Sequence, residues 1–221
     1  MMSDADLRRE VENELSWTSA VDSREVGVTA HDGVVSLTGF VRTFGEKWEA
    51  EKAVKRLHGV KGVANDIEVK LDGSANRTDP EIAEAALRAL SWNTAVPKDR
   101  FKVVVRDGWL TLEGEADSYY QRASAESAVR NLSAVRGVSD NISIKPPAIP
   151  AVDLTMLKGK IDDAFRRNAL IDARRIQVAA TGHDVTLRGQ VHSYAEFEEA
   201  ATAAWATPGV THVHNQLTIA A

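Results

Sequence analysis

Three histidines near the C-terminus have the spacing that could bind a metal ion. His212 and His214 alternate with Val213 on a predicted strand, so both side chains should leave the same face, and His183 in a predicted hairpin turn could approach them. Zinc and nickel are metals that imidazole groups bind. A His-x-His pair on a strand surface is nevertheless more often solvated, and the two earlier repeats of the chain, described below, hold no equivalents. We therefore predict no metal site and no cofactor.

The sequence also lacks the patterns of nucleophilic or acid–base catalysis. It contains no cysteine and no Gly-x-Ser-x-Gly turn. The closely spaced carboxylates Glu10, Glu12 and Glu14 fall mostly on the solvent side of a predicted helix. We predict a non-enzymatic protein without catalytic residues.

Basic residues are concentrated at one place in the last third of the chain. Four arginines surround the predicted end of a helix there: Arg166, Arg167, Arg174 and Arg175. They could complement the helix dipole and pair with Asp162, Asp163 and Asp172, or they could bind an anionic head group. At about 1 kcal/mol per basic residue, the second role would give weak, reversible membrane attachment. With a net charge of −5 and no strongly basic segment, the chain is not expected to bind nucleic acid.

These residues belong to a sequence that repeats three times with a constant offset of 75 residues. Gly39, Gly114 and Gly189 each end the same apolar-x-apolar-x-Gly strand. A repeat kept in register without insertions indicates three versions of one small module. What recurs is mostly apolar residues, glycines and helix caps, which favours a structural role for the repeated positions.

Each copy predicts the order helix, strand, strand, helix, strand. The first helix has an apolar stripe, which in the first copy is Leu7, Val11 and Leu15. Asp32-Gly33 and Asp107-Gly108 predict type I′ hairpin turns, whereas the third copy has Gly182-His183-Asp184 and should turn differently. The second helices open with capping boxes: Thr43-x-x-Glu46, Ser118-x-x-Gln121 and Ser193-x-x-Glu196.

These patterns predict an α+β protein of three tandem α-β-β-α-β modules, over residues 4–71, 79–145 and 153–219. Each module should be a three-stranded mixed sheet with two helices on one face. Modules of this size are marginally stable alone, so contact between the copies is expected.

Aromatic residues of the second helices are the main candidates for a binding surface. They are Phe44, Trp48, Tyr119, Tyr120, Tyr194 and Trp205. At 100° per residue, Trp48, Tyr120 and Trp205 lie about opposite the core stripe of their helices. They could form a lipid or partner surface, or they could be buried between modules or in a dimer. The abundance of small residues over 195–206 favours packing against another element.

One polar position lies in phase with the core valines of the last strand in each copy. It is occupied by Asn65, Asp140 and Asn215. A polar group on the core side needs a partner, and we expect a hydrogen bond to the backbone of a neighbouring loop. An ion-binding role with loop carbonyls is the alternative.

The three copies together resemble the BON domain family. The resemblance rests on the Asp-Gly-x-Val-x-Leu-x-Gly hairpin, the capped alanine-rich helix and the Gly-Val-x-x-Val-x-Asn-x-Ile strand, seen over 59–67 and 209–217. The middle copy departs from it at Ala134 and Asp140. The resemblance implies an α-β-β-α-β fold, no catalysis, and binding of phospholipid or membrane surfaces, often under osmotic or envelope stress.

We therefore expect a stress-associated binding protein of a bacterium whose partner is phospholipid or an envelope-associated protein. Two alternatives remain open: a soluble sensor of potassium or another small ion, and an interaction scaffold that docks other proteins or copies of itself as a homo-oligomer. The N-terminus has no pattern of a signal peptide, so we expect a cytoplasmic protein with peripheral membrane association.

Overall fold

The computed structural model describes residues 3–70, 77–145 and 154–220. The predicted module ends at Leu71 and Asp153 lie outside the described residues. We call the three repeats modules 1, 2 and 3.

Module 1 consists of two helices and three strands. They are helix α1 (Asp4–Trp17), strands β1 (Val26–His31) and β2 (Val34–Val41), helix α2 (Phe44–Lys55) and strand β3 (Gly62–Val69).

Module 2 repeats this order. Its elements are α3 (Asp79–Trp92), β4 (Phe101–Arg106), β5 (Trp109–Ala116), α4 (Tyr119–Arg130) and β6 (Gly137–Ile144).

Module 3 repeats it again, and every element begins and ends 75 residues after its counterpart in module 2. Its elements are α5 (Leu154–Arg167), β7 (Ile176–Thr181), β8 (Asp184–Val191), α6 (Tyr194–Trp205) and β9 (His212–Ile219). The predicted element order is therefore confirmed in all three copies.

Each module has its own three-stranded sheet. The second strand is central, pairing antiparallel with the first strand and parallel with the third. In module 1, Val35 and Leu37 of β2 are fully buried in one cluster with Leu15 of α1 and Val54 of α2. Because both helices contact the inward residues of the same strand, they lie on one face of the sheet, as predicted.

The hairpin turns divide as their sequences predict. In modules 1 and 2, both central residues have positive φ, for example 51° at Asp107 and 76° at Gly108, as type I′ requires. In module 3, Gly182 at the first central position has φ of 60°, and His183 does not have positive φ. This arrangement is that of a type II′ turn, in which glycine occupies the first central position.

The caps of the second helices differ from the predicted capping box in one bond. The hydroxyls of Thr43, Ser118 and Ser193 accept the expected N–H of the residue three positions later. The reaching side chain, however, accepts from the residue before the cap: Glu46 Oε2 accepts from the N–H of Arg42 at 3.3 Å. The donor satisfied is therefore one residue further from the helix than in a standard box, which ties the preceding strand end to the helix.

Candidate functional site

The modules contact each other through the ends of their second helices. The guanidinium carbon of Arg130, at the end of α4, lies 3.6 Å from the ring centroid of Trp48 on α2. The ring of Trp205, at the end of α6, stacks on Tyr119 at the start of α4, with centroids 6.1 Å apart. These two contacts use three of the candidate aromatics.

The third contact joins module 1 to module 3. Lys55 Nζ, at the end of α2, lies 2.7 Å from Glu198 Oε1 of α6 and 4.9 Å from the ring centroid of Tyr194. Glu51, one turn earlier on α2, holds the same ammonium group at 2.7 Å. Lys55 therefore lies between carboxylates of two modules.

The three contacts use equivalent positions. Lys55, Arg130 and Trp205 are 75 residues apart, and each reaches the first turns of the second helix of another module. Module 1 contacts module 3, module 3 contacts module 2, and module 2 contacts module 1, so the series closes on itself. The same step from one module to the next, applied three times, returns to the starting module. The modules are therefore related by an approximate threefold rotation without translation along its axis.

Charge and burial act against each other at Lys55. Burial lowers the pKa of the lysine, but hydrogen bonds with Glu198 and Glu51 outweigh it, so the pKa lies above its ordinary value of 10.5. Burial raises the pKa of Glu51, whereas hydrogen bonds from Lys55 and Asn65 lower it below its ordinary value of 4.5. Both groups are therefore held in their charged forms.

The candidate aromatics do not share one environment. Phe44 packs against the core of module 2, and Tyr194 also contacts Phe197 on its own helix, with ring centroids 5.5 Å apart. Tyr120 is 70% exposed, although Tyr119 beside it is in the stack with Trp205. The predicted set therefore does not form one exposed belt.

A cleft of about 510 Å³ is lined by residues of α2, α4 and α6. It is bordered by the Tyr119–Trp205 stack and by Phe197, Ala123 and Ala201. Among the described residues, the Nε of Arg130, which also lines this cleft, is the buried side-chain nitrogen without a hydrogen-bond partner.

Two tryptophans that the sequence patterns did not single out are the most exposed large apolar side chains in the described ranges. Trp17 and Trp92 are each 85% exposed. They end α1 and α3 at equivalent positions, where module 3 has Arg167. Their signal in the sequence was the helical phase: Trp17 lies about 200° from the core residue Leu15.

The four candidate arginines do not share one environment. The backbone N–H of Arg174 donates to Asp172 at 3.2 Å, and Arg175 Nε lies 3.6 Å from the same carboxylate. Arg166 lines a cleft of about 360 Å³ between α5 and β7, together with Lys158, Asp162 and Arg188. Arg167 is exposed at the end of α5.

The polar position of the last strand is satisfied by a helix and not by a loop, which corrects our expectation. Asn65 donates to the carbonyl of Lys47 at 3.1 Å, and Asn215 donates to that of Phe197 at 3.0 Å. Asp140 cannot donate, and it accepts from Arg122 Nε at 2.8 Å. Lys47, Arg122 and Phe197 are equivalent residues, so all three bonds join the last strand to the same point of the second helix.

The histidines of module 3 are not gathered into one cluster. His212 Nδ1 lies 3.1 Å from Asp184, and His183 Nδ1 lies 2.9 Å from the carbonyl of Gly209. In the described part of the chain, Asp4, His31 and Asp32 form the one group of three potential metal ligands.

That group has a structural explanation. Asp4 accepts the N–H of Asp32 at 2.9 Å, and its counterpart Asp79 accepts the N–H groups of Asp107 and Gly108 at 2.9 Å each. The start of the first helix thus holds the hairpin turn in both modules.

None of the helices in the described ranges is long and apolar enough to cross a bilayer.

Comparison with known proteins gives three kinds of match. A family model described as the BON domain matches residues 3–70, 78–146 and 153–221. The osmotically inducible protein Y of Escherichia coli (strain K12) is 28% identical over 148 residues, which are 65% of this chain and 74% of that protein.

Solved structures show a weaker likeness. CdsD, a structural protein of the type III secretion system of Chlamydia trachomatis, is 16% identical, with 97% of this chain and 92% of that chain covered and a TM-score of 0.27. The PrgH periplasmic domain is 12% identical, with 90% and 95% covered and a TM-score of 0.20.

Proposed function

This chain belongs to the BON domain family, and on that basis we propose that it is a non-enzymatic protein that binds anionic phospholipid surfaces. Its similarity to an osmotically inducible protein supports a stress-associated role. We place it at the cytoplasmic face of a membrane as a peripheral protein.

The observation that carries the proposal is the pair of exposed tryptophans. Trp17 and Trp92 each expose 85% of their surface at equivalent positions of two modules. Because equivalent positions are related by the approximate threefold rotation, they lie at the same height along its axis, together with Arg167. An exposed indole ring can enter a lipid interface, where an apolar ring with a polar N–H is favoured.

The arginines of module 3 supply the attraction to anionic head groups. Arg166 and Arg167 end α5 and are exposed. Each basic residue near a charged surface contributes about 1 kcal/mol, so the attachment is reversible and weakens as salt is added. The tryptophans and arginines together form the contact, which we call the tryptophan face.

Vesicle co-sedimentation tests this proposal. The full chain should pellet with vesicles of phosphatidylglycerol and phosphatidylcholine at low salt, and less with phosphatidylcholine alone. The double variant Trp17→Ala with Trp92→Ala should lose at least about tenfold in vesicle affinity. Trp109→Ala is the control, because Trp109 is 50% exposed on the face of the module 2 sheet that the helices do not cover and does not belong to the tryptophan face.

Tryptophan emission gives a second readout. The emission of the wild type should shift to the blue on vesicle binding, and that shift should be absent from the double variant. No pelleting of the wild type at low salt, or equal pelleting of the double variant, would refute the tryptophan face as a membrane contact.

A further inference from the structure

The three contacts between modules are not equally strong. Module 1 is anchored to module 2 by Phe44, which packs against the hydrophobic core of module 2. The cation of Arg130 over Trp48 adds to this junction. In the described residues, no apolar side chain of module 3 packs against the core of module 1 or of module 2.

Module 3 is held to module 2 by an aromatic stack. The ring of Trp205 stacks on Tyr119, beside a cleft of about 510 Å³ that residues of all three modules line. A single aromatic stack adds only modestly to the area that it buries.

Module 3 is held to module 1 by charge. Lys55 bonds Glu198 at 2.7 Å, and the side chains of these residues are 17% and 47% exposed. Partly exposed ion pairs contribute little to stability and are screened by salt. This junction also joins the first and last modules of the chain, which no peptide segment links directly.

From these differences we infer that module 3 is an exchangeable unit, and that its place beside modules 1 and 2 accepts module 3 of a second copy of this chain. The contact is head to tail: the end of α2 meets the start of α6. It therefore forms equally well within one chain or between two. In the exchanged dimer each ring of three modules contains module 3 of the other copy, and every junction is retained.

Module 3 of a second copy makes the same contacts as module 3 of the same chain, so the exchange changes the contact energy little. The protein concentration and the segment between modules 2 and 3 therefore decide whether the monomer or the exchanged dimer forms. The wild type should be mainly monomeric at micromolar concentration, because the intramolecular contact has the higher effective concentration. The exchanged dimer should become dominant when closure within one chain is made repulsive and closure between chains is not.

Charge reversal creates that situation. Two single variants are needed. In Lys55→Glu, a new carboxylate faces Glu198 of the same chain, and in Glu198→Lys, a new ammonium group faces Lys55 of the same chain, so closure within either chain is repulsive. When the two variants exchange module 3, one junction pairs the unchanged Lys55 of one variant with the unchanged Glu198 of the other. The second junction pairs the two substituted residues, so opposite charges meet at both junctions. We expect a 1:1 mixture, incubated in high salt and returned to low salt, to form a complex of twice the 24.0 kDa chain mass that contains one copy of each.

Light scattering after size exclusion measures the mass, and a tag on one variant shows the composition. The mixed dimer should bind at least about tenfold more tightly than either variant binds itself, and the excess should fall as salt is added. The chain carrying both changes restores the pair internally and should stay as monomeric as the wild type. Circular dichroism confirms that each variant is folded.

The results separate clearly. A mixture that stays at the monomer mass, or variants that dimerise equally alone and together, would overturn the exchange. This outcome is independent of vesicle binding, because neither Lys55 nor Glu198 belongs to the tryptophan face.

Discussion

The central strand of each module contains a residue that must lack a side chain. A Cβ atom on Gly114 would lie 2.2 Å from the carbonyl oxygen of Arg100, and the φ of Gly114 is 141°. Gly114→Ala should therefore lower the free energy of unfolding of module 2 by about 3 kcal/mol, from strain and overlap together. Gly159→Ala is the control, because its Cβ meets nothing within 4 Å and a helical alanine should stabilise α5 by up to about 1 kcal/mol.

Hydrogen exchange of module 2 amides measures the first effect, and exchange of module 3 amides measures the second. Equal, small effects of both substitutions would show that the repeated glycine is not required by its backbone.

A second prediction concerns the polar residue of the last strand. Asp140→Asn removes the carboxylate that Arg122 contacts at 2.8 Å and leaves a partly buried guanidinium without its anion. We expect module 2 to lose about 1–2 kcal/mol. Adding Arg122→Phe reproduces the Phe197 and Asn215 pair of module 3, in which the amide donates to the helix carbonyl, and should recover part of the loss.

The measurement is again amide exchange in module 2. A double variant as unstable as the sum of its two single changes would show that the aspartate and arginine are not coupled.

At the scale of elements, a buried carboxylate ties the start of α6 to the backbone of two other segments. Glu196 is 3% exposed; it accepts from the N–H of His192 at 2.7 Å and of Asp172 at 2.8 Å. Glu196→Ala should cost module 3 about 2 kcal/mol, because two backbone donors lose their partner. Glu46→Ala in α2 removes two long and exposed bonds, from the N–H of Arg42 at 3.3 Å and from the hydroxyl of Thr43 at 3.5 Å, and should cost less.

Thermal unfolding of both variants, with amide exchange to locate the loss, checks this order. A larger loss from Glu46→Ala than from Glu196→Ala would contradict it.

The elements themselves follow from local patterns in the sequence. The stripe of Leu7, Val11 and Leu15 is buried, and the Asp-Gly dipeptides make the predicted turns. These features depend on residues close in the chain, so periodicity and turn chemistry are enough to predict them. The cap bond of Glu46 to the residue before the cap was missed, because it depends on the angle between strand and helix.

The contacts between modules could be predicted only in part. Packing between modules was one of two interpretations of the aromatics, and neighbours such as Tyr119 and Tyr120 differ in environment while their sequence signal is the same. Lys55 and Glu198 are residue types typical of any solvated helix face, so nothing in their types or spacing indicates that they meet 143 positions apart. Long-range pairs leave no periodicity, and the threefold arrangement could not be predicted for that reason.

At the scale of the whole molecule, the charges at the junction of modules 1 and 3 make stability depend on pH at both ends of the scale. Lys55 bonds Glu198 across the junction, and Glu51 bonds Lys55 within module 1. The pKa of Glu51 lies below 4.5 because the bonds from Lys55 and Asn65 outweigh burial, so its stabilising effect is present above pH 4.5 and is lost as the pH falls through the lowered value. The pKa of Lys55 lies above 10.5 for the corresponding reason, so its effect is complete below pH 10.5 and is lost as the pH rises through the raised value.

The difference in melting temperature between the wild type and Lys55→Met should therefore be greatest between about pH 5 and pH 10 and should decline outside that window. Within the window, the ion pairs of Lys55 contribute about 1 kcal/mol. Arg88→Met is the control, since Arg88 and Glu84 form an exposed pair within α3 that joins no modules. Lys55→Met should also raise the radius of gyration in solution scattering at neutral pH, whereas Arg88→Met should not. A Lys55→Met difference that stays constant from about pH 3 to pH 11 would mean that the charge of Lys55 does not contribute to stability at the junction of modules 1 and 3.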